Sequence, residues 1–504
     1  MTGHELVRAL AAALPVGQVH VSEFASTLDR TCTGVTYDSR QVKPGWVFVA
    51  LSGQKADGVA FVQDAIAAGA IAIVADRPAS SACPVAWIVV GDARLALALL
   101  SAELFGHPSR RMTVVGITGT NGKTTTAYVL RSIFEAAGRR CGLIGTVTGR
   151  IGEQQVAATR TTPEAPDAQS AMRDMVDIGC EACVMEVSSH ALALRRVDGT
   201  RFSAAVFTNL TRDHLDFHHD MEGYFAAKRR LFEMLPAEAP ALINADDPRA
   251  ASLRDVARRP VTYGMHREAD VTPGPLSFTL RGLVFDVHTP QGSVHLTSRL
   301  VGKPNAYNIL AAVGTAAALG IPAGAIEQGV ARLSGVPGRF EVVSSSEDDI
   351  TVVVDYAHTD DALRNLLETA RPLAPRRLIT MFGAGGDRDR TKRPLMGMVA
   401  ARLSDVVVIT SDNPRGEDPA RIIDEVKRGA EPESRQGGAE VVAVPDRRDA
   451  IAQALDRASR GDVVLIAGKG HEKYQEIGGR ILPFDDVAVA REALEARRVK
   501  SRVG

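Results

Sequence analysis

Residues 113–126 read Thr113-Val-Val-Gly-Ile-Thr-Gly-Thr-Asn-Gly-Lys-Thr-Thr-Thr126. The β-branched run from Thr113 to Ile117 predicts a strand. The apolar positions Ala127, Leu130, Ile133, Phe134 and Ala137 that follow have helical spacing. Between them lies a glycine-bearing turn that opens directly onto a helix N-terminus. There, free backbone N–H groups and the helix dipole favour an anion. Lys123 adds a point charge for the β- and γ-phosphates, and the Thr124 hydroxyl is of the type that ligates Mg²⁺. Gly119, Thr120, Asn121, Gly122, Lys123, Thr124 and Thr125 are therefore the expected triphosphate cradle. The general phosphate-loop pattern, Gly-x-x-x-x-Gly-Lys-Ser/Thr, would need glycine at 117, where Ile117 stands, so this loop is a shorter form.

Outward from this loop, the chain is too long for one core. Its 504 residues suggest about three domains. Hydrophobic residues make up 45% and charged residues 24%, the composition of a soluble globular protein, and a net charge of −1 gives no electrostatic reason to expect nucleic acid or an anionic membrane as partner. No apolar run approaches the roughly 18 residues of a membrane span, and no signal-peptide pattern opens the chain. The expectation is a cytoplasmic protein. Five scattered cysteines exclude a disulfide framework, and the Cys180-Glu-Ala-Cys183 pair lacks the further ligands that zinc needs, so both are expected to be structural.

Before the loop, helix and strand patterns alternate: Glu5–Leu14 and Phe61–Ala68 helical, Trp46–Leu51, Ile71–Ala75 and Val85–Val90 extended, Arg94–Phe105 helical. The stretch Gly106–Arg111 is linker-like, which sets a first domain at 1–108. After the loop, strands are expected at Cys183–Val187, Ala204–Thr208 and Ala241–Asn244 in a largely parallel sheet, with ligands at the strand C-terminal ends. Glu186 stands at such an end as an acidic metal ligand complementing Thr124. Thr208–His218 and Lys228 follow. His214 and His218 have the spacing of zinc ligands on a helix, but no Glu follows the first histidine as in the metalloprotease motif. Asn305 and Asn308 precede a helical run, Ile309–Leu319, and serve either as caps or as partners of an adenine edge. Gly335–Gly338 closes a second domain at 109–337.

The third domain, 338–504, alternates strands Thr351–Asp355, Leu378–Phe382, Val406–Thr410, Val441–Val444 and Val463–Ala467 with helical patterns. Polar clusters follow four of these strands: Asp355–His358, Gly383–Arg388, Ser411–Arg415 and Gly468–Glu472. Gly383-Ala-Gly-Gly is not a dinucleotide fingerprint, because Arg388 replaces its last glycine.

Taken in order, Gly-Thr-Asn-Gly-Lys-Thr-Thr, Glu-Val-Ser-Ser-His, Thr-Asn-Leu-Thr-Arg-Asp-His-Leu-Asp, Gly-Asp-Arg-Asp-Arg-Thr-Lys-Arg-Pro, Asp-Asn-Pro-Arg and Gly-Lys-Gly-His-Glu resemble the motifs of the Mur ligases, nearly end to end. The short loop is that family's own form. The resemblance implies an α/β protein of three domains: an N-terminal uridine-nucleotide domain, a central ATPase domain with a mainly parallel sheet, and a C-terminal Rossmann-like domain for an amino acid. It implies a monomeric, cytoplasmic, ATP- and Mg²⁺-dependent ligase of peptidoglycan assembly. Its partners would be a UDP-N-acetylmuramoyl dipeptide and meso-diaminopimelate. The D-Glu γ-carboxylate would be phosphorylated and then attacked by the diaminopimelate amine.

By motif, Ser39, Gln54, Lys55 and Ala56 would hold the UDP-sugar, with Thr161, Thr162, Ser188 and Arg196 on the dipeptide side. Leu194 stands where the family often has Gln. Asn305 would bind adenine, and Arg339 and Asp355 would reach the nucleotide from the third domain. Lys123, Glu186, His214 and Lys228 form the implied catalytic set, with Thr124, Glu186, His214 and carbamylated Lys228 as metal ligands. An unmodified lysine would arrive beside Mg²⁺ as a cation, whereas a carbamate is an oxygen ligand. Arg388, Asp412, Asn413, Pro414, Arg415, Gly468 and Glu472 would bind diaminopimelate. A planar guanidinium can clamp its distal carboxylate, the group lysine lacks. The alternatives are a lysine-adding ligase, a folylpolyglutamate synthetase and a nucleotide-dependent switch without ligase chemistry.

Overall fold

Five short strands open the chain: β1 (Val19–Val21), β2 (Gly34–Thr36), β3 (Trp46–Val49), β4 (Ala72–Ala75) and β5 (Ala86–Val90). They form one sheet in the order β1-β5-β4-β3-β2, parallel except for β1. The computed structural model describes residues 1–15, 17–21, 25–53, 56–80, 82–147, 149–152, 154–156, 160–436 and 438–503. Strands β3, β4 and β5 fall where hydrophobic patterning puts them. Strands β1 and β2 are three residues each, too short to show a period. The expected linker Gly106–Arg111 is a packed element. His107 takes a left-handed backbone, Pro108–Arg110 forms a 3₁₀ turn, and the Ser109 hydroxyl accepts from Arg201 N at 3.0 Å.

The second sheet holds eight strands: β6 (Thr113–Thr118), β7 (Cys141–Ile144), β8 (Gly149–Ile151), β9 (Gln154–Val156), β10 (Ala182–Glu186), β11 (Ala204–Phe207), β12 (Pro240–Asn244) and β13 (Arg259–Tyr263). Their order is β13-β12-β11-β6-β10-β7-β8-β9, and every pairing is parallel except β7–β8 and β8–β9. Strand β6 lies between β10 and β11, where the chain crosses from one side of the sheet to the other. Such a switch point opens a crevice at the strand C-termini. The helix Lys123–Ala136 follows β6 and packs under helices Lys303–Ala318 and Ala323–Arg332. An antiparallel sheet of β14 (Thr272–Pro273), β15 (Ser277–Thr279), β16 (Gly282–Thr289) and β17 (Gly292–Ser298) completes this domain. Cys141, Cys180 and Cys183 are buried free thiols of its core.

The third sheet runs β18 (Glu341–Val342), β19 (Thr351–Asp355), β20 (Leu378–Ala384), β21 (Val406–Ser411), β22 (Glu440–Ala443) and β23 (Val463–Ala467) in the order β18-β19-β23-β20-β21-β22, parallel apart from β18. All four polar clusters therefore emerge from one edge. A hairpin of β24 (Tyr474–Ile477) and β25 (Arg480–Pro483) follows. The fold is three α/β domains. Gly338 ties the second to the third: a Cβ there would lie 2.2 Å from His471 N.

Beneath the third sheet edge, Arg447 and Asp486 are fully buried and doubly bonded, Nε to Oδ1 at 2.8 Å and Nη2 to Oδ2 at 2.7 Å. Arg447 also donates to Ser411 O (3.2 Å) and Ala467 O (3.0 Å), which pins two strand ends. Asp486→Ala leaves a buried guanidinium without its counter-charge and should destabilise the third domain by about 3–5 kcal/mol. A denaturant melt followed by far-UV dichroism measures this, and an unchanged midpoint would contradict it.

Candidate functional site

The turn after β6 is shaped by two glycines. Gly119 has φ +145° and Gly122 φ +87°; a Cβ would meet Thr208 Oγ1 at 1.9 Å in the first case and Asn308 Oδ1 at 2.3 Å in the second. Gly122 is also the N-cap of helix Lys123–Ala136, and no side chain caps it. Its first N–H groups are thus left to a ligand. Lys123 Nζ donates to Gly119 O (2.9 Å) and Thr120 O (2.7 Å), and desolvation lowers its pKa against the pull of Glu186. A cleft of about 280 Å³ lies over this turn. It is lined by Thr120–Thr125, Glu186, Asp213, His214, Asn305 and Asn308 on one side and by Arg339, Asp355, Tyr356 and His358 on the other.

Arg339 crosses this cleft. Its Nη2 donates to Thr124 Oγ1 at 3.3 Å, its guanidinium covers the Tyr356 ring at 4.5 Å, and its buried Nε has no hydrogen-bond partner. An unpartnered buried donor beside a phosphate-type turn fits an anion. Asp355 holds the crossing in place: its carboxylate accepts from Phe340 N (2.6 Å) and Ala357 N (2.8 Å). Burial raises its pKa, with Arg339 opposing.

The expected metal side assembles in part. Thr124 Oγ1 lies 2.8 Å and Thr146 Oγ1 3.0 Å from Glu186 Oε2, and Glu186 Oε1 accepts from Thr146 N at 2.9 Å. Octahedral Mg²⁺ with oxygens at 2.0–2.1 Å has ligand–ligand edges of about 2.9 Å, so the Thr124 and Glu186 oxygens fit that ion. His214 and His218 do not share a ligand. His214 begins the four-residue helix Leu215–His218 in a left-handed conformation, while His218 turns inward to Ser189 Oγ at 2.9 Å. Desolvation pushes both imidazoles down to about 4, in His214 against Asp213. Among the described residues, no three His, Cys, Asp or Glu side chains form a metal-holding group.

Lys228, on helix Met221–Glu233, is 1% exposed. Its Nζ donates to Gly119 O at 2.8 Å and sits 4.4 Å from the Tyr224 ring centre. Burial first, and Lys123 second, hold its pKa well below the usual lysine range. As an amine it bonds the loop, not Glu186 or His214.

Of the expected dipeptide residues, Thr161, Thr162, Ser188 and Arg196 come together. Thr146 Oγ1 donates to Thr161 Oγ1 (3.0 Å). Thr162 Oγ1 donates to Glu186 O (2.8 Å) and accepts from Ser188 N (3.0 Å). Arg196 Nη1 donates to Thr162 O (3.2 Å). Arg196 also pairs with Glu164 at 2.9 Å, and its buried Nε has no partner. Ser39 opens a 3₁₀ turn capped by Asp38, and the pKa of the neighbouring Tyr37 is raised by burial first and by the Glu164 charge second. Ala56 is an exposed turn residue whose carbonyl accepts from Gly53 N at 3.1 Å. Gln54 and Lys55 lie outside the described residues.

Asn305 is neither cap nor free donor. The helix starts at Lys303, its N-cap is Gly302, and the Asn305 amide donates to Val301 O (2.8 Å) and accepts from Asn308 Nδ2 (3.1 Å). A second cleft of about 540 Å³ continues past Asn308 to Asn209, Asn244, Tyr263, Phe278 and Tyr307.

At the third sheet edge, Lys469 is fully buried. It bonds Asn413 Oδ1 (2.9 Å), Glu472 Oε2 (3.2 Å) and Asp412 Oδ1 (3.4 Å), while Asn413 Nδ2 donates to Glu472 Oε2 (3.0 Å). Burial raises the Glu472 pKa, whereas Lys469 and Arg447 hold Asp412 low against desolvation. Arg415 follows Pro414 with φ +53° and docks on the hairpin. Its N–H donates to Glu476 O (3.0 Å), Nη1 to Gly386 O (2.8 Å), and Nε lies 3.3 Å from Glu476 Oε2. Arg388 is exposed and bonded to Asp387 O (3.0 Å). The stem of Arg388 and the Arg415 guanidinium both come within 4 Å of where a Cβ on Gly385 would stand, so the two arginines flank the bare Gly385 backbone. Gly468 has φ +116°, a conformation that keeps its loop low beside Arg447.

Three family descriptions match this chain: Mur ligase family, catalytic domain, over residues 31–104; Mur ligase middle domain over 117–316; and Mur ligase, glutamate ligase domain, over 338–470. A protein of Solibacter usitatus named UDP-N-acetylmuramoyl-L-alanyl-D-glutamate--2,6-diaminopimelate ligase is 49% identical over 92% of this chain and 93% of its own length. A protein of the same name from Gloeobacter violaceus is 49% identical over 93% and 95%. The chain belongs to the Mur ligase family. A solved structure of a protein of that name superposes with TM-score 0.67 at 34% identity, over 95% of this chain and 99% of that one. MurF from Acinetobacter baumannii, at 20% identity and TM-score 0.65, shares the fold.

Several residues that line the Mur ligase clefts escaped sequence reasoning. Asn209 brackets the phosphate turn, accepting from Asn121 N (2.9 Å) and donating to Asn121 O (3.2 Å). Lys469 stands inside a quoted motif, yet only burial reveals it as the hub of the third-domain cluster. His358 lines the cleft over the phosphate turn, and burial lowers the pKa of Lys392 at the start of its helix, against the charges of Asp213 and Asp412. The signal for each was its place at a strand or helix end.

Gly119→Ala cannot keep its turn without displacing Thr208. The native chain should gain about 2.7 kcal/mol from nucleotide at 100 times its Kd. The variant should gain nothing in the same thermal-shift titration with Mg²⁺-ATP, and a native-like shift would refute this reading of the turn.

Proposed function

We propose that this Mur ligase joins meso-diaminopimelate to the D-Glu γ-carboxylate of UDP-N-acetylmuramoyl-L-alanyl-D-glutamate, releasing ADP and phosphate, as a monomer in the cytoplasm. One observation carries the choice of amino acid. Arg415 is a half-buried guanidinium held at its Nε edge by Glu476 and bolted to the hairpin beside the buried Asp412–Lys469–Glu472 cluster. A planar fork of fixed direction suits the distal carboxylate of diaminopimelate, and the acidic cluster suits an ammonium group.

The chemistry follows from what the side chains offer. The turn Gly119–Thr125, Lys123 and Arg339 take the triphosphate, with Asp355 holding the Arg339 crossing. Asn305 and the aromatic cleft beside Asn209 and Asn308 lie on the adenine side. Thr161, Thr162, Ser188 and Arg196 hold the dipeptide so that its terminal carboxylate oxygen attacks the γ-phosphorus in line, forming the acyl phosphate and ADP. The free amine of diaminopimelate, oriented from the Glu472 side, adds to the acyl carbon. The tetrahedral adduct loses phosphate and a proton, leaving the amide. Thr124 and Glu186 would hold Mg²⁺, which neutralises charge on the transferring phosphoryl group. Lys228 is buried and disposed to be a neutral amine, the form that adds CO₂. Its carbamate would give up the bond to Gly119 O and could supply an oxygen ligand alongside Glu186 and His214.

With the UDP-dipeptide and ATP present, phosphate release should depend on diaminopimelate. L-lysine should be slower by at least the value of one charge-assisted contact, about 10- to 150-fold. Equal turnover with lysine, or release without amino acid, would contradict the assignment. Separately, Lys228→Ala should lose about a hundredfold or more in kcat, as expected when a metal-site group is lost. Added bicarbonate should raise the activity of CO₂-stripped native enzyme but not of the variant, and insensitivity of the native enzyme would refute the carbamate.

A further inference from the structure

The loop after β11 is riveted to the phosphate turn. Thr208 Oγ1 donates to Asn121 O at 2.6 Å, and the Thr120 hydroxyl accepts from Thr211 N (3.0 Å) while donating to Thr211 O (3.1 Å). Arg212 is the next residue, and it leaves its own domain. Its guanidinium donates to Asp389 Oδ2 at 3.1 Å and to the Thr391 hydroxyl. The receiving side is equally fixed, since Asp389 Oδ1 accepts from Thr391 N (2.9 Å) and Thr391 Oγ1 (2.5 Å) at the entrance to helix Lys392–Leu403. Asp389 directly follows Arg388. A single side chain therefore joins the loop bearing Asp213 and His214 to the loop bearing Arg388.

Pairs this exposed, 41% and 25%, stabilise a fold little. Their value here lies in direction, because both ends are anchored to elements that line different substrates. We infer that Arg212 is a positioning residue for the amino-acid site: it sets the Arg388 loop from the phosphate turn, so that the amino-acid pocket is held in register with the nucleotide site. Other links across this seam, such as Asn121 Nδ2 to Asp361 Oδ2 (3.0 Å) and Arg339 to Thr124, reach the nucleotide cleft and not the Arg388 loop. The inference rests on the amino-acid reading of the third-domain cluster.

Steady-state assays of phosphate release test it on the full-length enzyme. Arg212→Ala should raise the KM for diaminopimelate about five- to tenfold, a usual size for coupling between sites. The KM for ATP should stay within about twofold, because the phosphate turn keeps its own bonds. Arg212→Lys should recover part of the loss, having charge without the fork. The exchange Arg212→Asp with Asp389→Arg should outperform both single variants. The inference is overturned if Arg212→Ala leaves the diaminopimelate KM unmoved, if every parameter and the melting temperature fall together, or if the exchange is no better than its singles. Failure of the native enzyme to use diaminopimelate at all would instead remove the proposed function, and it is read first.

Discussion

Two glycines at positive φ constrain everything around the phosphate turn. Because Gly119 and Gly122 carry no Cβ, Thr208 and Asn308 can press against the turn from opposite sides. The turn is then a rivet between β6, the β11 loop and helix Lys303–Ala318, and not merely a ligand cradle. Strand β6 occupies the switch point of its sheet, so the ends of β10 and β11 bring Glu186 and Thr208 to the same crevice. The helix that begins at Gly122 presents uncapped N–H groups there. Position, dipole and unsatisfied donors thus coincide at one place, and the third domain faces it through Arg339 and Asp361.

Charge in the two clefts is balanced in opposite ways. On the nucleotide side, Lys123 and Lys228 are desolvated and donate hydrogen bonds to backbone carbonyls, with the Tyr224 ring 4.4 Å from Lys228, and Arg339 keeps an unpartnered Nε. Lys123 and Arg339 are left to meet an anionic group. On the amino-acid side, Lys469 is met by Asp412 and Glu472, Arg447 by Asp486, and Arg393 by Glu417 and Glu425, with Glu417 drawn down to about 2 by Arg393. Those cations are paired within the fold, and on the proposed reading they hold the bare Gly385 backbone and the Asp412–Arg415 turn for a zwitterionic guest. The first cleft is built to receive anionic groups, the second to orient a molecule with both signs.

Legibility in the sequence followed the length and purity of each pattern. Strands Thr351–Asp355 and Val463–Ala467 are readable to the residue, because near-continuous apolar runs rich in β-branched residues mark strands of a parallel sheet covered on both faces. Three-residue strands such as Gly34–Thr36 carry no period. Helix Lys303–Ala318 begins six residues before its apolar run, since Pro304 at its first turn and the buried Asn305 and Asn308 hide the start. The i, i+4 pair His214 and His218 misleads for a local reason: the left-handed backbone at His214 puts it outside the helix that His218 ends. The linker Gly335–Gly338 is docked, because His471 and Gly470 leave room only for a glycine.

By itself the sequence determined the chemistry on offer: a short phosphate turn, an acid at a strand end, a lysine in the following helix, and arginine and acid clusters after parallel strands. These follow from spacing along one chain, which local periodicity and backbone propensity fix. Tertiary structure alone decided which of these groups meet. That Lys228 is buried against Gly119, that Lys469 is the hub of its cluster and that Arg212 spans the seam to Asp389 depend on contacts between residues 57 to 177 positions apart. No local pattern encodes such distances, because they are set by sheet order and domain docking.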